Sequence, residues 1–464
     1  MAAPALGKKG STTFRIAGYN ILAQCLAKSS YFTFAEKATL KWANRSKALG
    51  KQLVGLGDIL CLSEVDNVPH WRAALEPEFT MLHQLRGSKQ YGNVIAFRTS
   101  RFRLVDAASC NFDDIASVAD ASDLHRRSCV AVFAALQPLP LDMTVSGVDP
   151  ELLPLVIVAS THLFWDPSLP PVRAAQAGML QLCLSDFTSR AYAQIGRTDI
   201  FGPVIIAGDL NSLPGSVAHN MLTRLPLPSL WALSGEASPP LWSSGWDLTR
   251  VISDTSGSSG FPPFLASSLE AVPKDALLVI SKCRHAWLQE VASRLPGWLE
   301  HATDSNKALI TAAFGGEDAA ARTTTSTLLS VSSDVSACAS GTGGVMPMLK
   351  PLSMPFRASV DQVILRSAYS WKQFAGLHAS YEEDCAAEPF VTTATESFRG
   401  AIDYVLVSRP PVHVRGEQSC PHVSWDVVSV GDLPCPRTDV VPMPNPSCPS
   451  DHFPVSADIL LEWW

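Results

Sequence analysis

Val204-Ile205-Ile206-Ala207-Gly208-Asp209-Leu210-Asn211-Ser212 runs four apolar, partly β-branched residues straight into a Gly-Asp-x-Asn sequence. An apolar run of this length, closed by glycine, reads as a buried strand. In extended backbone, residues i and i+2 share a face, so Asp209 and Asn211 are expected to project together from the strand end. A carboxylate there can hold a metal or orient a water, and the neighbouring carboxamide can donate to a phosphate oxygen. The plain alternative is a strand that closes in an Asx-type turn. What favours chemistry is recurrence: an apolar strand that delivers a polar residue at its end appears again and again along the chain.

Working outward, Phe14 to Ile21 predicts a short strand that ends on Asn20, and Ile59-Leu60-Cys61-Leu62-Ser63-Glu64 predicts a second that ends on Glu64. An acid in so apolar a setting costs several kcal/mol unless paired or metal-bound, which points to a hard-cation ligand. Between them, Leu40, Trp42, Leu49, Leu53 and Leu56 recur at helical spacing and predict an amphipathic helix over residues 36–56. Asn93 to Phe97 followed by Arg101 to Val105 reads as a hairpin, and 129–136 as a further strand. Leu155 to Ser160 is another buried strand, leading to His162. After Pro171, the Ala174, Ala175, Met179, Leu182 and Leu184 pattern predicts a helix carrying Arg173 and Gln176. Alternating strands and helices are α/β grammar. Residues 365–370 and 398–408 resume the strands, with Asp403 at the head of one, and Ser450-Asp451-His452-Phe453-Pro454 precedes the last. An aspartate beside a histidine is one way to orient an imidazole or keep it protonated.

Composition bounds the rest. With 464 residues, 47% of them hydrophobic and 17% charged, the chain can bury a large core. A formal net charge of -7 excludes a wholesale electrostatic grip on long duplexes, so a nucleic-acid substrate needs a local groove. Eleven cysteines without metal-ligand spacing argue for free thiols in a reducing compartment. No segment reads as a signal peptide or membrane span, so no membrane partner and a cytoplasmic location are expected. Residues 231–355 are rich in Ser, Gly, Thr and Pro and read as a low-complexity insertion with one helix over 275–295. It splits one catalytic domain into 12–230 and 356–464.

Six motifs in order, Tyr19-Asn20-Ile21-Leu22-Ala23-Gln24, Ile59-Leu60-Cys61-Leu62-Ser63-Glu64-Val65-Asp66, Thr161-His162-Leu163-Phe164-Trp165-Asp166-Pro167, Gly208-Asp209-Leu210-Asn211-Ser212-Leu213-Pro214, Gly400-Ala401-Ile402-Asp403-Tyr404 and Ser450-Asp451-His452-Phe453-Pro454, give the chain a resemblance. It resembles the exonuclease/endonuclease/phosphatase superfamily, and within it the branch of the carbon-catabolite-repression deadenylases, nocturnin and angel. The resemblance implies an α/β fold, a four-layer α/β/β/α sandwich of two mixed sheets like that of DNase I. It implies Mg²⁺ as cofactor, one ion or two with Mn²⁺ as a substitute, and cleavage of a phosphodiester or phosphate ester. Glu64 matches the principal metal ligand, with Asp209 and Asp451 in the metal set. Asn20, His162, Asp209, Asn211, Asp403, Asp451 and His452 match the catalytic positions. Pro167 and Phe398 match an adenine sandwich, and Arg173 is read as a further substrate-binding residue.

Three positions depart from the usual pattern: Ser63 stands where relatives carry Gln, Gly18 where they carry Ser, and Cys129-Val130 where an Asn-Val-Ala stretch is usual. The expected activity is Mg²⁺-dependent 3′ to 5′ removal of nucleotides from single-stranded RNA, poly(A) first. No leucine-rich-repeat docking module is read in the chain. Two rivals are a nocturnin-like phosphatase for a phosphorylated dinucleotide and a non-catalytic interaction protein of the same fold. The complete set of buried carboxylates argues against the last, since acids that repel one another serve no purpose without a cation.

Overall fold

The computed structural model describes residues 10–76, 78–113, 127–139, 153–195, 202–224, 365–371, 391–410, 423–433 and 440–463. The 231–355 insertion and its 275–295 helix lie outside the described residues. Two six-stranded mixed sheets carry the fold. The first is built from β1 (Gly10–Asn20), β2 (Ile59–Val65), β3 (Phe79–Leu85), β4 (Gly92–Arg98), β13 (Val423–Val430) and β14 (Val455–Trp463), in the order β13-β14-β1-β2-β4-β3. The second contains β5 (Phe102–Asn111), β6 (Val130–Pro138), β7 (Val156–His162), β8 (Val204–Asp209), β9 (Leu365–Ser367) and β12 (Asp403–Ser408), in the order β5-β6-β7-β8-β12-β9. A small ribbon pairs β10 (Thr393–Ala394) with β11 (Arg399–Gly400). Strands from both sides of the insertion therefore share both sheets.

The continuous apolar runs are explained by burial on both faces. In β8, Ile205 and Ala207 point into the core between the sheets, while Val204 and Ile206 point to the helices outside. β7 divides the same way, Val158 inward and Ile157 outward, as does β2 with Cys61 inward and Leu60 outward. Helices α1 (Trp42–Leu56) and α2 (Val68–Leu75) cover the first sheet with Leu49, Leu53, Trp71 and Leu75. Helices α3 (Pro170–Gln194) and α4 (Val217–Arg224) cover the second, where Phe187 packs on Phe133 of β6 with ring centroids 5.6 Å apart. The result is the four-layer α/β/β/α sandwich. Among the described residues, no helix is long and apolar enough to cross a membrane, and Cys25, Cys61, Cys110, Cys129, Cys183 and Cys448 are free thiols.

One expectation is overturned. The stretches around Asn93 to Phe97 and Arg101 to Val105 do not form a hairpin: β4 pairs with β2 and β3, and β5 crosses to the other sheet to pair with β6. Both edges of β4 are already occupied, so the next strand has no ladder to join there. Alternation within each stretch was legible in sequence, but the choice of partner was not.

Topology places the site. β1 and β2 run parallel with Asn20 opposite Ser63, and β7 and β8 run parallel with His162 opposite Asp209. Parallel neighbours bring their carboxyl ends to one edge. β12 runs antiparallel to β8, so its first residue, Asp403, pairs with Asp209. The two edges meet because the backbones come close at Gly18 and Gly208. A Cβ on Gly18 would sit 3.2 Å from the Gly208 nitrogen, and one on Gly208 would collide with the Thr161 carbonyl at 2.0 Å. Gly208 also has φ +149°, a conformation that side chains rarely adopt. The Gly18 departure thus suits the close approach.

Candidate active site

Asp209 is the point of convergence. Its Oδ2 accepts a hydrogen bond from Asn20 Nδ2 at 3.1 Å, lies 3.5 Å from His162 Nε2 and 3.8 Å from His452 Nε2. Asn20 Nδ2 also donates to Glu64 Oε1 at 3.1 Å, so one carboxamide joins two carboxylates from different sheets. Glu64 reaches this position through a bulge: the register of β2 on β4 shifts between Leu62 and Val65, and Glu64 has φ 55°. A bulge re-aims a side chain that a regular pleat would send elsewhere. Glu64 Oε2 is held by the Ala23 amide at 3.2 Å.

On the other side, Asp403 Oδ2 receives the Thr392 hydroxyl at 2.7 Å and lies 2.8 Å from His452 Nδ1. Thr392 is itself fixed by the amides of Ile402 and Asp403, at 2.9 and 3.1 Å. Asp403 Oδ1 is buried and has no hydrogen-bond partner. Asp209, Asp403 and His452 each offer a ligand atom within 4.8 Å of the others, all three buried. Asp451 is only partly buried; its carbonyl anchors the ribbon by accepting from Thr393 Oγ1 at 2.8 Å.

The electrostatics follow from crowding. Burial pushes the Asp209 carboxyl up to about 7, and Asp403 adds to the rise against the opposing pull of His452 and Asn20. Burial likewise raises Glu64, helped by Asp451, while the bonds from Asn20 and Ala23 oppose it. Burial by itself would lower His452, but Asp403, Asp451 and Asp209 together outweigh it, so the imidazolium persists well above its ordinary value. His162 goes the opposite way: burial, then Arg86 and His452, keep it neutral. The two histidines are therefore different tools, one a charged donor and one a neutral ring.

The structure brings Asn20, Glu64, His162, Asp209, Asp403 and His452 together. Asn211 arrives differently from the i, i+2 expectation. It lies beyond the strand with φ 48°, its amide donates to Asp209 Oδ1 at 2.8 Å, and its Nδ2 donates to the Leu163 carbonyl at 3.0 Å. Asp209 and Asn211 are thus joined by the Asx turn itself. Arg173, read as a substrate-binding residue, has a buried guanidinium that donates to the carbonyls of Asp166 and Phe164 and braces the loop after β7. Pro167 is exposed on that loop, and Phe398, 41% exposed, sits beside Leu213 over Gly400. Ser63 places a buried hydroxyl with no partner next to Glu64, and Cys129 Sγ accepts from Arg86 Nη2 at 2.9 Å.

Two residues escaped the sequence reading. Thr392 precedes its partner by 11 residues in a stretch that carries no pattern. Arg45, 1% exposed, donates to the carbonyls of Ile21 (2.7 Å), Leu22 and Pro449 (2.8 Å) and to Gln24 Oε1 (2.9 Å). It ties the loop after Asn20 to the loop that carries Asp451 and His452, and Ser450 Oγ reinforces the tie by donating to the Asn20 carbonyl at 2.6 Å. A signal for Arg45 existed: it falls on the apolar stripe with Trp42, Leu49 and Leu53, where an unpaired cation would be costly.

A family model described as the Endonuclease/Exonuclease/phosphatase family matches residues 17–452. The chain belongs to this family. Among its relatives is carbon catabolite repressor protein 4 homolog 4 of Arabidopsis thaliana, 29% identical over 271 residues that cover 51% of this chain and 62% of that protein. The human protein angel homolog 2 is 29% identical over 220 residues, 45% of this chain and 36% of that one. The CCR4-Not complex 3′-5′-exoribonuclease subunit Ccr4 of Saccharomyces cerevisiae is 26% identical over 234 residues, 45% of this chain and 27% of that one. The chain thus matches less than two thirds of the length of each of these relatives. Among solved structures, ANGEL2, a 2′,3′-cyclic phosphatase, superposes with a TM-score of 0.51 at 19% identity, over 98% of this chain and 99% of that one, which shows a shared fold.

Proposed function

We propose that this enzyme is a divalent-metal-dependent 3′ to 5′ exoribonuclease that acts on single-stranded RNA, poly(A) first. The observation that carries the reading is the single carboxamide of Asn20 holding Glu64 and Asp209 side by side, across from an Asp403-bound imidazolium. Buried acids at this spacing fit a hard cation: burial raises both Asp209 and Glu64, and the Asp403 oxygen without a partner adds a third donor. Glu64, Asp209 and Asp403, with Asp451 beside Glu64, would hold Mg²⁺ or Mn²⁺, which would supply Lewis-acid stabilisation of phosphoryl charge.

The chain's own groups account for the remaining tasks. Ionised Asp209 accepts a hydrogen bond from the attacking water and orients it. The water oxygen forms a bond to phosphorus as the bond to the 3′ oxygen breaks, the proton lost by the water balancing the one gained by the leaving oxygen. His452, kept protonated by Asp403, donates to the charge that builds on the phosphoryl oxygens. Exposed Phe398 and Pro167 offer faces for the terminal base. The yeast relative named for exoribonuclease activity supports an RNA substrate.

The test offers purified protein labelled oligo(A), mixed-sequence RNA and a phosphorylated dinucleotide, with Mg²⁺, Mn²⁺ or EDTA, beside Glu64→Ala. Metal-dependent shortening of oligo(A) in preference to the others, lost in the variant, is the expected result. Turnover of the dinucleotide with RNA untouched would replace this reading by a small-nucleotide phosphatase.

A further inference from the structure

The chain carries more acids than bases overall, yet residues 22–56 reverse the balance: Lys28, Lys37, Lys41, Lys47 and Lys51 are all exposed, and Glu36 is the one acid among them. This stretch issues directly from the site, since the Ile21 and Leu22 carbonyls are clamped by Arg45 and the Ala23 amide donates to Glu64. The loop is built. Leu22, Ala27, Phe32 and Leu40 bury a small core of their own, and the amides of Tyr31 and Phe32 return to the Lys28 carbonyl at 2.9 and 3.0 Å. On that support Tyr31 is 65% exposed, with the Lys28 ammonium 5.7 Å from its ring centroid. Lys47 and Lys51 lie on the side of α1 opposite buried Leu49 and Leu53, and Lys41 stands exposed at the position that precedes the helix.

A row of lysines opposite a buried stripe is ordinarily a solvated helix face. Here the stretch follows directly in the chain from the catalytic edge, is opposite in sign to the chain as a whole, and carries an exposed aromatic ring with an ammonium against it. Lysines that track a phosphate backbone, with an aromatic on which bases stack, are how single strands are held without regard to sequence. We propose that the surface of residues 22–56 holds the upstream body of a single-stranded RNA whose 3′ end lies in the cleft. Tyr31 stacks a base and the lysines take the phosphates. The inference rests on the RNA reading and adds where the strand leaves the site. From Ala23 to Tyr31 the chain spans at most ~29 Å even if fully extended, so the track begins within a few nucleotides of the cleft.

Two double variants test it, Lys28→Glu with Tyr31→Ala and Lys47→Glu with Lys51→Glu, each with the wild-type melting temperature as the control for folding. Steady-state kinetics compare an RNA of about five nucleotides with one of about twenty, bracketing a typical single-strand footprint. Anisotropy measures binding of the longer, labelled RNA in EDTA at several salt concentrations. The expected result is a rise of about tenfold or more in KM for the long RNA, with its kcat and the short RNA's kcat/KM unchanged. The slope of log affinity against log salt should also become shallower by about 0.7 for each phosphate contact removed. Equal kinetics on both RNAs and unchanged binding would overturn the proposal while leaving the exoribonuclease reading standing. If the wild type cleaves only the dinucleotide, that reading falls, and the anisotropy decides the track by itself: binding lost in the variants supports it, and binding absent from the wild type or retained in the variants overturns it.

Discussion

Asp209→Asn should stabilise the metal-free enzyme, and do so more at high pH. Asp209 is buried beside Asp403, and burial raises its carboxyl from the ordinary 3.8 to about 7. A carboxyl raised on folding contributes nothing adverse below its unfolded value and costs stability as pH rises through its folded one. At 1.36 kcal/mol per unit, the penalty is about 4 kcal/mol at pH 8 and roughly 1 to 2 kcal/mol at pH 5. Asparagine keeps the acceptor that holds the Asn211 amide but loses the bond from Asn20, at about 1 to 1.5 kcal/mol. The net gain is then about 3 kcal/mol at pH 8 and close to zero at pH 5. Differential scanning fluorimetry in EDTA reads this as a variant that melts several degrees above wild type at pH 8 and level with it at pH 5. Adding Mg²⁺ should raise wild type more than the variant, and more at pH 8, because protons and cation compete for one carboxylate. A variant no more stable than wild type in EDTA at pH 8 would refute the reasoning, since it would mean that Asp209 bears no burden for a cation to relieve.

Three further outcomes follow from named contacts. Arg45→Met strands three backbone carbonyls and the Gln24 carboxamide, so it should lower the urea-unfolding free energy by about 3 to 5 kcal/mol, with Arg45→Lys recovering part; an unchanged midpoint would remove Arg45 from its role. Thr392→Val deletes the hydroxyl that donates to Asp403, and kcat should fall about ten- to a hundredfold with KM unchanged, at about 1.5 to 3 kcal/mol for a bond to a charged group. A wild-type kcat would show that Asp403 needs no such support. Phe398→Ala should cut oligo(A) processing about ten- to a hundredfold, from about 1 to 3 kcal/mol of stacking, and flatten any preference for adenine over uracil. An equal loss on every RNA would rule out a base clamp.

The linear chain by itself determined the periodicity and the punctuation. Val204 to Ala207 is apolar at every position because both faces of β8 are buried, and that pattern survives without knowledge of neighbours. The strand ends were legible for the same reason: Asn20, Glu64, His162 and Asp209 each break an apolar run where the sheet meets the cleft. Partnership was not legible, because alternation states which residues face a core but not which sheet, and so β4 and β5 read as a hairpin although they belong to different sheets. Nor could sequence show that Glu64 turns on a bulge, that Arg173 braces a loop, that Thr392 holds Asp403, or that Arg45 holds groups far away along the chain. Arg45 meets Pro449 across 404 residues, and Asn20 meets Asp209 across 189. The Asn20 contact exists only once two sheets approach at Gly18 and Gly208, where the lack of a side chain lets carboxylates from both be held on one carboxamide.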